Sequence, residues 1–389
     1  MSDAELLNTY NVPLIRNFEV QYLKPLIGKH IPDFNKAYNE AEGVTGWAKI
    51  TDLLNKKVRD GFDDSEIENE LFEKLVFDVP DHIFILPLIS EIDANEFMER
   101  HSDAEEINRR IAMTLPSETK LITIRQVDNK VVLLYRSGVA EVGEVKASLY
   151  IPCILDFEND FAIVKVRLHH VKMSNTNLHE IHQLVINDIN DNEDFDFTIS
   201  NFNSKSIHEV LFQMFEDESY KAEKVIKKHM DEFTESTLIE KVTNFLEEDL
   251  KLKDPDNYID RVKSAFYQDL SSQLGDEIFY EGYVFAISFL DRELTRSATR
   301  NSKRDPIYNK KIYWNLKDLI HEQQELTEIS LYWRFDKEDF TKVPVGKEFS
   351  FVEISLREKN GSLEIHFYNT KTDRRLKEDY VIYKIKDYL

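Results

Sequence analysis

The spacing of apolar residues changes along this chain of 389 residues and divides it into four regions. Residues 1–117 carry apolar positions three and four apart, which is typical of amphipathic helices, whereas residues 118–173 alternate or form short apolar runs between polar turns. Residues 174–310 return to the helical period, and residues 311–389 again form short apolar runs. We therefore predict an α+β fold with a helical N-terminal region, a central antiparallel sheet, a helical segment and a C-terminal β-rich module. A domain boundary is expected near residues 301–325, where a polar, basic sequence interrupts the pattern.

Individual elements follow from the same spacing. Helices are predicted at 50–58 and 65–75, and the second opens with Ser65 and Glu68 in a capping-box pattern. Asn360 and Gly361 are the strongest hairpin signal, because both residue types accept positive φ. The predicted strands are 82–89, 121–126, 131–135, 148–157, 161–168, 329–335, 349–357, 363–368 and 380–385.

One helical segment carries an unusually regular apolar stripe. Its members recur at helical spacing within residues 237–250, and Pro255 then introduces a second amphipathic segment. A stripe of this width normally packs into the core of its own domain, and we expect that here. The members of the stripe are Leu238, Val242, Phe245, Leu246 and Leu250.

Glycine is scarce, and this scarcity excludes some nucleotide sites. The chain has 10 glycines, where ordinary usage of about 7% would give roughly 27. Loops that cradle phosphates need glycine, because backbone amides must approach the ligand closely. The chain contains neither GxxxxGK[ST] nor GxGxxG, which argues against a P-loop nucleotide hydrolase and a dinucleotide-binding Rossmann domain.

Cysteine usage and the N-terminal residues indicate a cellular location. Cys153 is the single cysteine, so no internal disulfide can form, and we expect a buried, inert thiol in a reducing compartment. The N-terminal residues lack the features of a signal peptide, and the longest apolar stretch, 283–290, is much shorter than the roughly 20 residues that span a bilayer. We expect a cytoplasmic protein without membrane contact.

A basic segment, residues 292–311, stands out because the whole chain carries a formal charge of -23. The segment contains seven basic residues and two acidic ones, Glu293 and Asp305, so its formal charge is +5. Clustered cations in an otherwise acidic chain favour an anionic ligand. The alternative explanation is that the cations lie at an exposed helix C-terminus and balance the negative end of the helix dipole or nearby acidic residues. The basic residues are Arg292, Arg296, Arg300, Lys303, Arg304, Lys310 and Lys311, of which the first five are our candidate ligand-binding residues.

If the basic segment is helical, Arg292, Arg296 and Arg300 fall within an arc of about 80°, because each residue turns the helix by about 100°. Arginine neutralises phosphates, and aromatic rings can stack on unpaired bases. The aromatic residues that follow are Tyr308, Tyr313 and Trp314.

A second candidate site resembles half of the motif of PD-(D/E)xK nucleases. Glu144 and Lys146 form the Glu-x-Lys part, and Asp128 lies 16 residues before Glu144. In such a site the carboxylates bind Mg²⁺ and the lysine stabilises charge. Asp128 is expected in a turn, however, where the motif needs a strand, and a cross-strand ion pair is the simpler explanation of Glu144 and Lys146.

Two further clusters partly match metal-site patterns. His169, His170, His179 and His182 include a pair three residues apart that could share a helical face, but the sequence is one residue short of HExxH. Residues 188–194 open like a calcium-binding EF-hand loop. Glu193 stands where that loop needs glycine, and Ile199 stands where it needs glutamate, so an acidic surface loop is expected instead.

No motif defines a reaction, so the leading hypothesis is a non-enzymatic one. We expect a cytoplasmic binding or regulatory subunit of a larger assembly, with a protein partner and with nucleic acid as a second candidate partner through the basic segment. No cofactor is expected. One alternative is a Mg²⁺-dependent PD-(D/E)xK-like nuclease. The other is an acidic nucleic-acid mimic that inhibits a DNA-binding partner. The net charge of -23 would suit such a mimic, because nucleic acid is also strongly negative.

Overall fold

The chain forms two compact units, Met1–Asn201 and Phe202–Leu389. Helices and antiparallel sheet are both abundant, so the α+β prediction is confirmed. No helix within the described ranges is long and apolar enough to cross a bilayer. The computed structural model describes residues 9–113, 119–142, 145–174, 177–229, 232–253, 255–290, 296–300, 303–368 and 372–389.

The first unit contains an antiparallel sheet in the order β2-β3-β4-β5-β1, with β6 paired to the end of β1. Strands β2 to β5 are consecutive in the chain and pair in order, so the predicted meander is confirmed. The strand predicted at 82–89 is confirmed as β1. The strands are β1 His82–Ser90, β2 Thr119–Val127, β3 Lys130–Val142, β4 Val145–Asp156, β5 Phe161–Val166 and β6 Phe197–Ile199.

The two helices predicted at 50–58 and 65–75 are confirmed as α4 and α5. Thr45 caps α4 by accepting a hydrogen bond from the Ala48 amide. Cys153 lies fully buried on β4, as predicted, and burial raises the pKa of its thiol to about 12. The helices are α1 Val12–Ile15, α2 Val20–Gly28, α3 Phe34–Glu40, α4 Gly46–Arg59, α5 Ser65–Phe77, α6 Ala94–Arg100, α7 Leu168–Met173 and α8 Leu178–Asn190, with a 3₁₀ turn at Ile111–Met113.

The second unit contains a sheet in the order β11-β10-β9-β7-β8, in which every described pair is antiparallel. The strands are β7 Gly282–Leu290, β8 Arg296–Arg300, β9 Glu328–Phe335, β10 Ser350–Lys359 and β11 Ser362–Phe367. The helices are α9 Ser204–Lys228, α10 Glu232–Asn244, α11 Asp256–Gln273, α12 Lys311–Gln323 and α13 Arg374–Ile385, with a π turn at Phe245–Asp249 and a 3₁₀ turn at Asp276–Phe279.

The hairpin predicted at Asn360 and Gly361 is confirmed. Both residues have positive φ, 53° and 76°, and they join β10 to β11 directly after the Lys359–Ser362 pair. The two-residue loop with left-handed backbone matches the twist of the strands it connects. The hairpin brings β10 between β9 and β11 in the sheet.

Three predictions about the second half of the chain need correction. Residues 174–310 are not one helical region, because β6, β7 and β8 lie within them. The boundary expected near 301–325 lies inside the second unit. Residues 380–385 belong to helix α13 rather than to a strand, because Arg374, Glu378, Val381 and Ile385 recur at helical spacing and all are buried. Tertiary packing has overridden the β preference of a short apolar run.

The two faces of the sheet in the second unit differ in chemistry. The apolar face packs against α9 and α13, where the ring of Tyr380 stacks on Phe335 at 3.8 Å. The opposite surface, which we call the polar face, carries residues that alternate with the apolar ones along each strand. Its members are Tyr283, Ala286, Ser288, Glu328, Ser330, Tyr332, Arg334, Phe351, Glu353, Ser355, Arg357, Glu364 and His366.

Candidate functional site

Part of the basic segment forms strand β8, so the predicted helical arrangement of its arginines is wrong. Arg296–Arg300 pairs with β7 from Leu290 to Ala286, because backbone hydrogen bonds to a neighbouring strand satisfy this stretch better than an isolated helical turn. The register places the backbone of position 300 opposite Ala286 and that of position 296 opposite Leu290. Arg292 lies outside the described residues.

The basic segment then reaches across the polar face through Arg304. Lys303 is exposed, whereas Arg304 is half-buried and has the left-handed φ of 62°. The Arg304 guanidinium forms an ion pair with Glu353 of β10 and lies 5.1 Å from the ring of Tyr368. A non-glycine residue in this conformation is uncommon and is held by its contacts. Arg304 therefore anchors the basic segment to the sheet.

The aromatic residues that the sequence suggested for base stacking are in the core instead. Tyr308 and Tyr313 are fully buried, and Trp314 is 4% exposed. The indole of Trp314 donates a hydrogen bond of 2.8 Å to the Tyr308 carbonyl. These three rings cannot reach a ligand, because α12 starts at Lys311 and buries its first turn in the second unit.

A different set of aromatic rings lies on the polar face. Tyr283 and Tyr332 stack with centroids 4.7 Å apart, and Phe351 continues the row at 5.8 Å from Tyr332. All three are half-buried and come from adjacent strands β7, β9 and β10. The alternation of polar and apolar residues in 329–335 was the sequence signal for Tyr332. The alignment of the three rings depends on strand register, which the sequence does not display.

Arg334 extends this aromatic row toward solvent. Its guanidinium lies 3.9 Å from the centroid of Phe349 and 5.9 Å from that of Tyr280. Tyr280 is 57% exposed and Phe349 is 37% exposed. We call Tyr280, Arg334 and Phe349 the exposed cluster. A planar guanidinium beside accessible rings can bind a phosphate and leave ring surface for stacking.

Two of the three acidic residues of the polar face form ion pairs with arginine, Glu353 with Arg304 and Glu364 with Arg357, and the third, Glu328, is hydrogen-bonded to a hydroxyl. Glu364 is almost fully buried and accepts two hydrogen bonds from Arg357, at 2.5 and 2.8 Å. This pairing raises the pKa of Arg357. Glu328 accepts a hydrogen bond of 2.9 Å from the Ser355 hydroxyl. The carboxylates thus oppose an anionic ligand less than their number suggests.

The tyrosine hydroxyls of the aromatic row are protonated near neutral pH, and burial makes their ionisation harder still. Desolvation raises the pKa of Tyr283 and that of Tyr332 above the usual value. Both phenols can donate hydrogen bonds to an anion. The polar face therefore combines hydrogen-bond donors, arginine and aromatic surface.

The residues of the nuclease hypothesis do not come together where they can be described. Asp128 lies in the turn before β3 with φ of 55°. The backbone of Lys146 on β4 is in register with that of Glu141, near the opposite end of β3. Most of β3 separates them, roughly 35 Å at about 3.3 Å per residue. Glu144 lies outside the described residues. Asp128 and Lys146 therefore cannot serve one metal ion.

The histidines are also dispersed. His179 is exposed and His182 is 4% exposed and packs on Phe84, so they do not present a shared surface to a metal. In the acidic loop, Asn190 exchanges two hydrogen bonds with the Ile199 backbone, which closes the loop onto β6. Among the described residues no group of three or more His, Cys, Asp or Glu side chains is arranged to hold a metal ion.

Comparison with known proteins gives no relative from which a role could be transferred. No protein-family model, curated protein sequence or solved structure matches this chain.

Proposed function

We propose that this chain is a non-enzymatic binding protein that holds single-stranded nucleic acid on the polar face of its second unit. The observation that carries the proposal is the exposed cluster, Tyr280, Arg334 and Phe349, on the same sheet as the basic strand β8. Proteins that bind single strands combine cations that follow the phosphates with rings on which bases stack.

An unpaired strand suits this surface better than a duplex. The polar face is built on an antiparallel sheet, and a duplex presents mainly phosphates to such a surface while its bases stay stacked inside. Tyr280 and Phe349 offer accessible ring surface that only unpaired bases can use. Bases would stack at the exposed cluster, and the backbone phosphates would run toward Lys303 and β8.

The strongly acidic remainder of the chain is compatible with this proposal and limits where nucleic acid could bind. With a net charge of -23, most of the surface repels a polyanion, so binding would be confined to the local region where cations are concentrated. Such binding must weaken with salt, because phosphate contacts release counterions.

The proposal is tested by fluorescence anisotropy with labelled single-stranded DNA and RNA of about 20 nucleotides, and with the matching duplexes as competitors. We expect single strands to bind more tightly than duplexes, and affinity to fall steeply between about 50 and about 200 mM salt. Tyr280→Ala together with Phe349→Ala should weaken binding by about tenfold or more, since each stacked base contributes about 1–3 kcal/mol.

Arg59→Gln on α4 is the matched control for Arg334→Gln, because both remove one positive charge from a described side chain. Arg334→Gln should weaken binding and Arg59→Gln should leave it unchanged. An absence of any single-strand binding at low salt would overturn the proposal. Equal effects of the two arginine variants would also overturn it, since they would indicate general electrostatic attraction.

A further inference from the structure

The apolar stripe predicted at residues 237–250 is only partly buried, contrary to the expectation from its sequence. Of its five members Leu246 alone is buried, and Phe245 and Leu250 are 52% and 53% exposed. The described residues show no partner for these two side chains, so the stripe identifies no ligand.

A pair of lysines in the first unit shares one aromatic ring. The ammonium nitrogen of Lys24 on α2 lies 4.2 Å from the ring centroid of Tyr38, and that of Lys49 on α4 lies 5.7 Å from it. The two nitrogens are therefore at most about 10 Å apart, which is the sum of these distances. Tyr38 belongs to α3, so three helices meet at this ring. We call Lys24, Tyr38 and Lys49 the lysine cluster.

Neither lysine of the cluster forms an ion pair with a carboxylate among the described residues. The neighbouring Lys56 on α4 does so, with Asp52 at 2.8 Å. An aromatic ring attracts a cation through its quadrupole but has no net charge, so it holds the ammonium group without neutralising it. The lysine cluster therefore keeps two positive charges close together in a chain of net charge -23.

The part of the chain around the cluster has the same bias. Residues 12–59 contain eight basic and five acidic residues, so their formal charge is +3. Arg16 in this stretch is also held by a ring rather than by a carboxylate, with its guanidinium 4.5 Å from the centroid of Trp47. Burial lowers the pKa of Arg16. An anion that approaches these helices meets less repulsion than the net charge of the whole chain suggests.

Tyr38 adds a hydrogen-bond donor to the two cations. Its ring stacks on Phe34 with centroids 5.8 Å apart, which holds the side chain in place. A Cβ atom on Gly46 of α4 would lie 3.2 Å from the Tyr38 hydroxyl oxygen and 3.0 Å from Val20, so glycine lets the helices approach closely here. The hydroxyl forms no hydrogen bond to a described residue, and it can donate one to a ligand.

The chemistry of the cluster matches phosphate. A phosphate group carries about 1.5–2 negative charges at neutral pH and has several strong acceptor oxygens, and lysine binds it as a point charge. A carboxylate is matched better by the planar fork of arginine. Because the ammonium groups lie up to about 10 Å apart, linked phosphates can meet both of them more readily than a single phosphate can. All three side chains are half-buried and so remain accessible.

We propose that Lys24, Lys49 and the hydroxyl of Tyr38 bind a small molecule that contains two or more linked phosphates. A polynucleotide is a poorer occupant, because the exposed carboxylates of Glu40 and Glu42 follow Tyr38 in the chain and would repel a longer polyanion. The site lies in the first unit, so the proposal is independent of nucleic-acid binding on the polar face of the second.

Isothermal titration calorimetry with the full chain tests the proposal, with tripolyphosphate as the probe. Orthophosphate measures the effect of linked phosphates, citrate that of an anion whose charges are on carboxylates, and ATP that of an added base. We expect tripolyphosphate to bind at least about tenfold more tightly than orthophosphate or citrate at low salt. ATP should bind no more tightly than tripolyphosphate, because lysines already occupy the ring of Tyr38.

Variants locate the binding. Lys24→Gln and Lys49→Gln should each weaken tripolyphosphate affinity by about tenfold or more, because hydrogen bonds to charged groups contribute more than neutral ones. Tyr38→Phe keeps the ring and removes only the hydroxyl, so a smaller loss of about two- to tenfold is expected. Lys36→Gln on α3 is the matched control, since Lys36 is exposed on the same helix as Tyr38 but contacts no ring, and it should have little effect.

Several outcomes would overturn the proposal. Equal weakening by Lys36→Gln would indicate general electrostatic attraction, and unchanged affinity of Lys24→Gln and Lys49→Gln would exclude the lysine cluster. An absence of tripolyphosphate binding at low salt, or citrate binding as tight as that of tripolyphosphate, would exclude a phosphate site. If the two lysine variants weaken single-strand binding instead, nucleic acid is the occupant. Far-ultraviolet circular dichroism checks that the variants fold.

Discussion

At the scale of single residues, the described part of the chain contains buried polar groups that are paired and others that burial keeps neutral. Arg125 on β2 donates to both carboxylate oxygens of Glu68 on α5, at 2.8 and 2.9 Å, which joins a helix to the sheet of the first unit. His182 represents the neutral kind. It is buried against Phe84, and desolvation lowers the pKa of its imidazole to about 4. A charged imidazole is therefore excluded from the folded state near neutral pH.

The buried state of His182 predicts a pH dependence of stability. The folded pKa is about 4 and the unfolded pKa is about 6.5, so between these values the unfolded chain binds a proton that the folded chain does not. The free energy of unfolding therefore falls as pH decreases through this window. His182→Leu should remove this contribution, which is about 2 kcal/mol at about pH 5.

Urea unfolding of both proteins across this pH range measures the effect of His182→Leu. His179→Gln is the control, because His179 lies three residues away on the same helix but is exposed. It should change the pH dependence much less than His182→Leu does, because burial, the larger cause of the lowered pKa of His182, remains and only the repulsion from His179 is removed. If the free energy of unfolding of His182→Leu falls with decreasing pH as steeply as that of the parent chain, the pH dependence does not come from His182.

At the scale of elements, the β10–β11 hairpin depends on two residues with left-handed backbone. The turn determines the register Lys359–Ser362 and hence which residues of β10 reach the polar face. Gly361 has φ of 76°, a conformation that costs a residue with a Cβ atom about 1–2 kcal/mol. Gly361→Ala should lower the free energy of unfolding by about that amount.

Thermal and urea denaturation of Gly361→Ala test the hairpin. Asn360→Asp is the matched control, since aspartate and asparagine both tolerate the left-handed region, and we expect it to change stability by less than about 0.5 kcal/mol. If Gly361→Ala is as stable as the parent chain, the turn does not constrain the strands as described.

At the scale of the whole molecule, the excess of negative charge is the feature with the clearest consequence for stability. The chain contains 73 acidic and 50 basic residues, so unpaired carboxylates repel one another across the surface. Salt shortens the range of this repulsion, from about 30 Å at 0.01 M to about 8 Å at 0.15 M. We expect the melting temperature at about pH 7.5 to rise as NaCl increases over this range, because repulsion opposes the compact state.

The control for the salt effect is the same titration near pH 5, close to the isoelectric point of about 5.0. The net charge nearly vanishes there, so the rise in melting temperature should shrink. A melting temperature at pH 7.5 that falls with salt would mean that surface ion pairs, such as Lys56 with Asp52, outweigh the repulsion.

Local interactions were sufficient to predict much of the fold. Helices α4 and α5, the β2–β5 meander and the Asn360–Gly361 turn were all visible in the sequence, because their hydrophobic period and turn residues act within a few positions. Cys153 was predicted to be buried for the same reason, since it lies in an apolar run. The basic character of the candidate site was equally evident from residues 292–311.

Tertiary structure decided the features that depend on what each segment packs against. Residues 380–385 became helical because α13 buries one side against Phe335, and Arg296–Arg300 became a strand because β7 offered hydrogen-bonding groups. Tyr308 and Trp314 entered the core, whereas Tyr332 reached the polar face and Phe349 the exposed cluster. A short run of apolar or basic residues has similar local energy as helix or strand, so the partner that covers it determines both its conformation and its exposure.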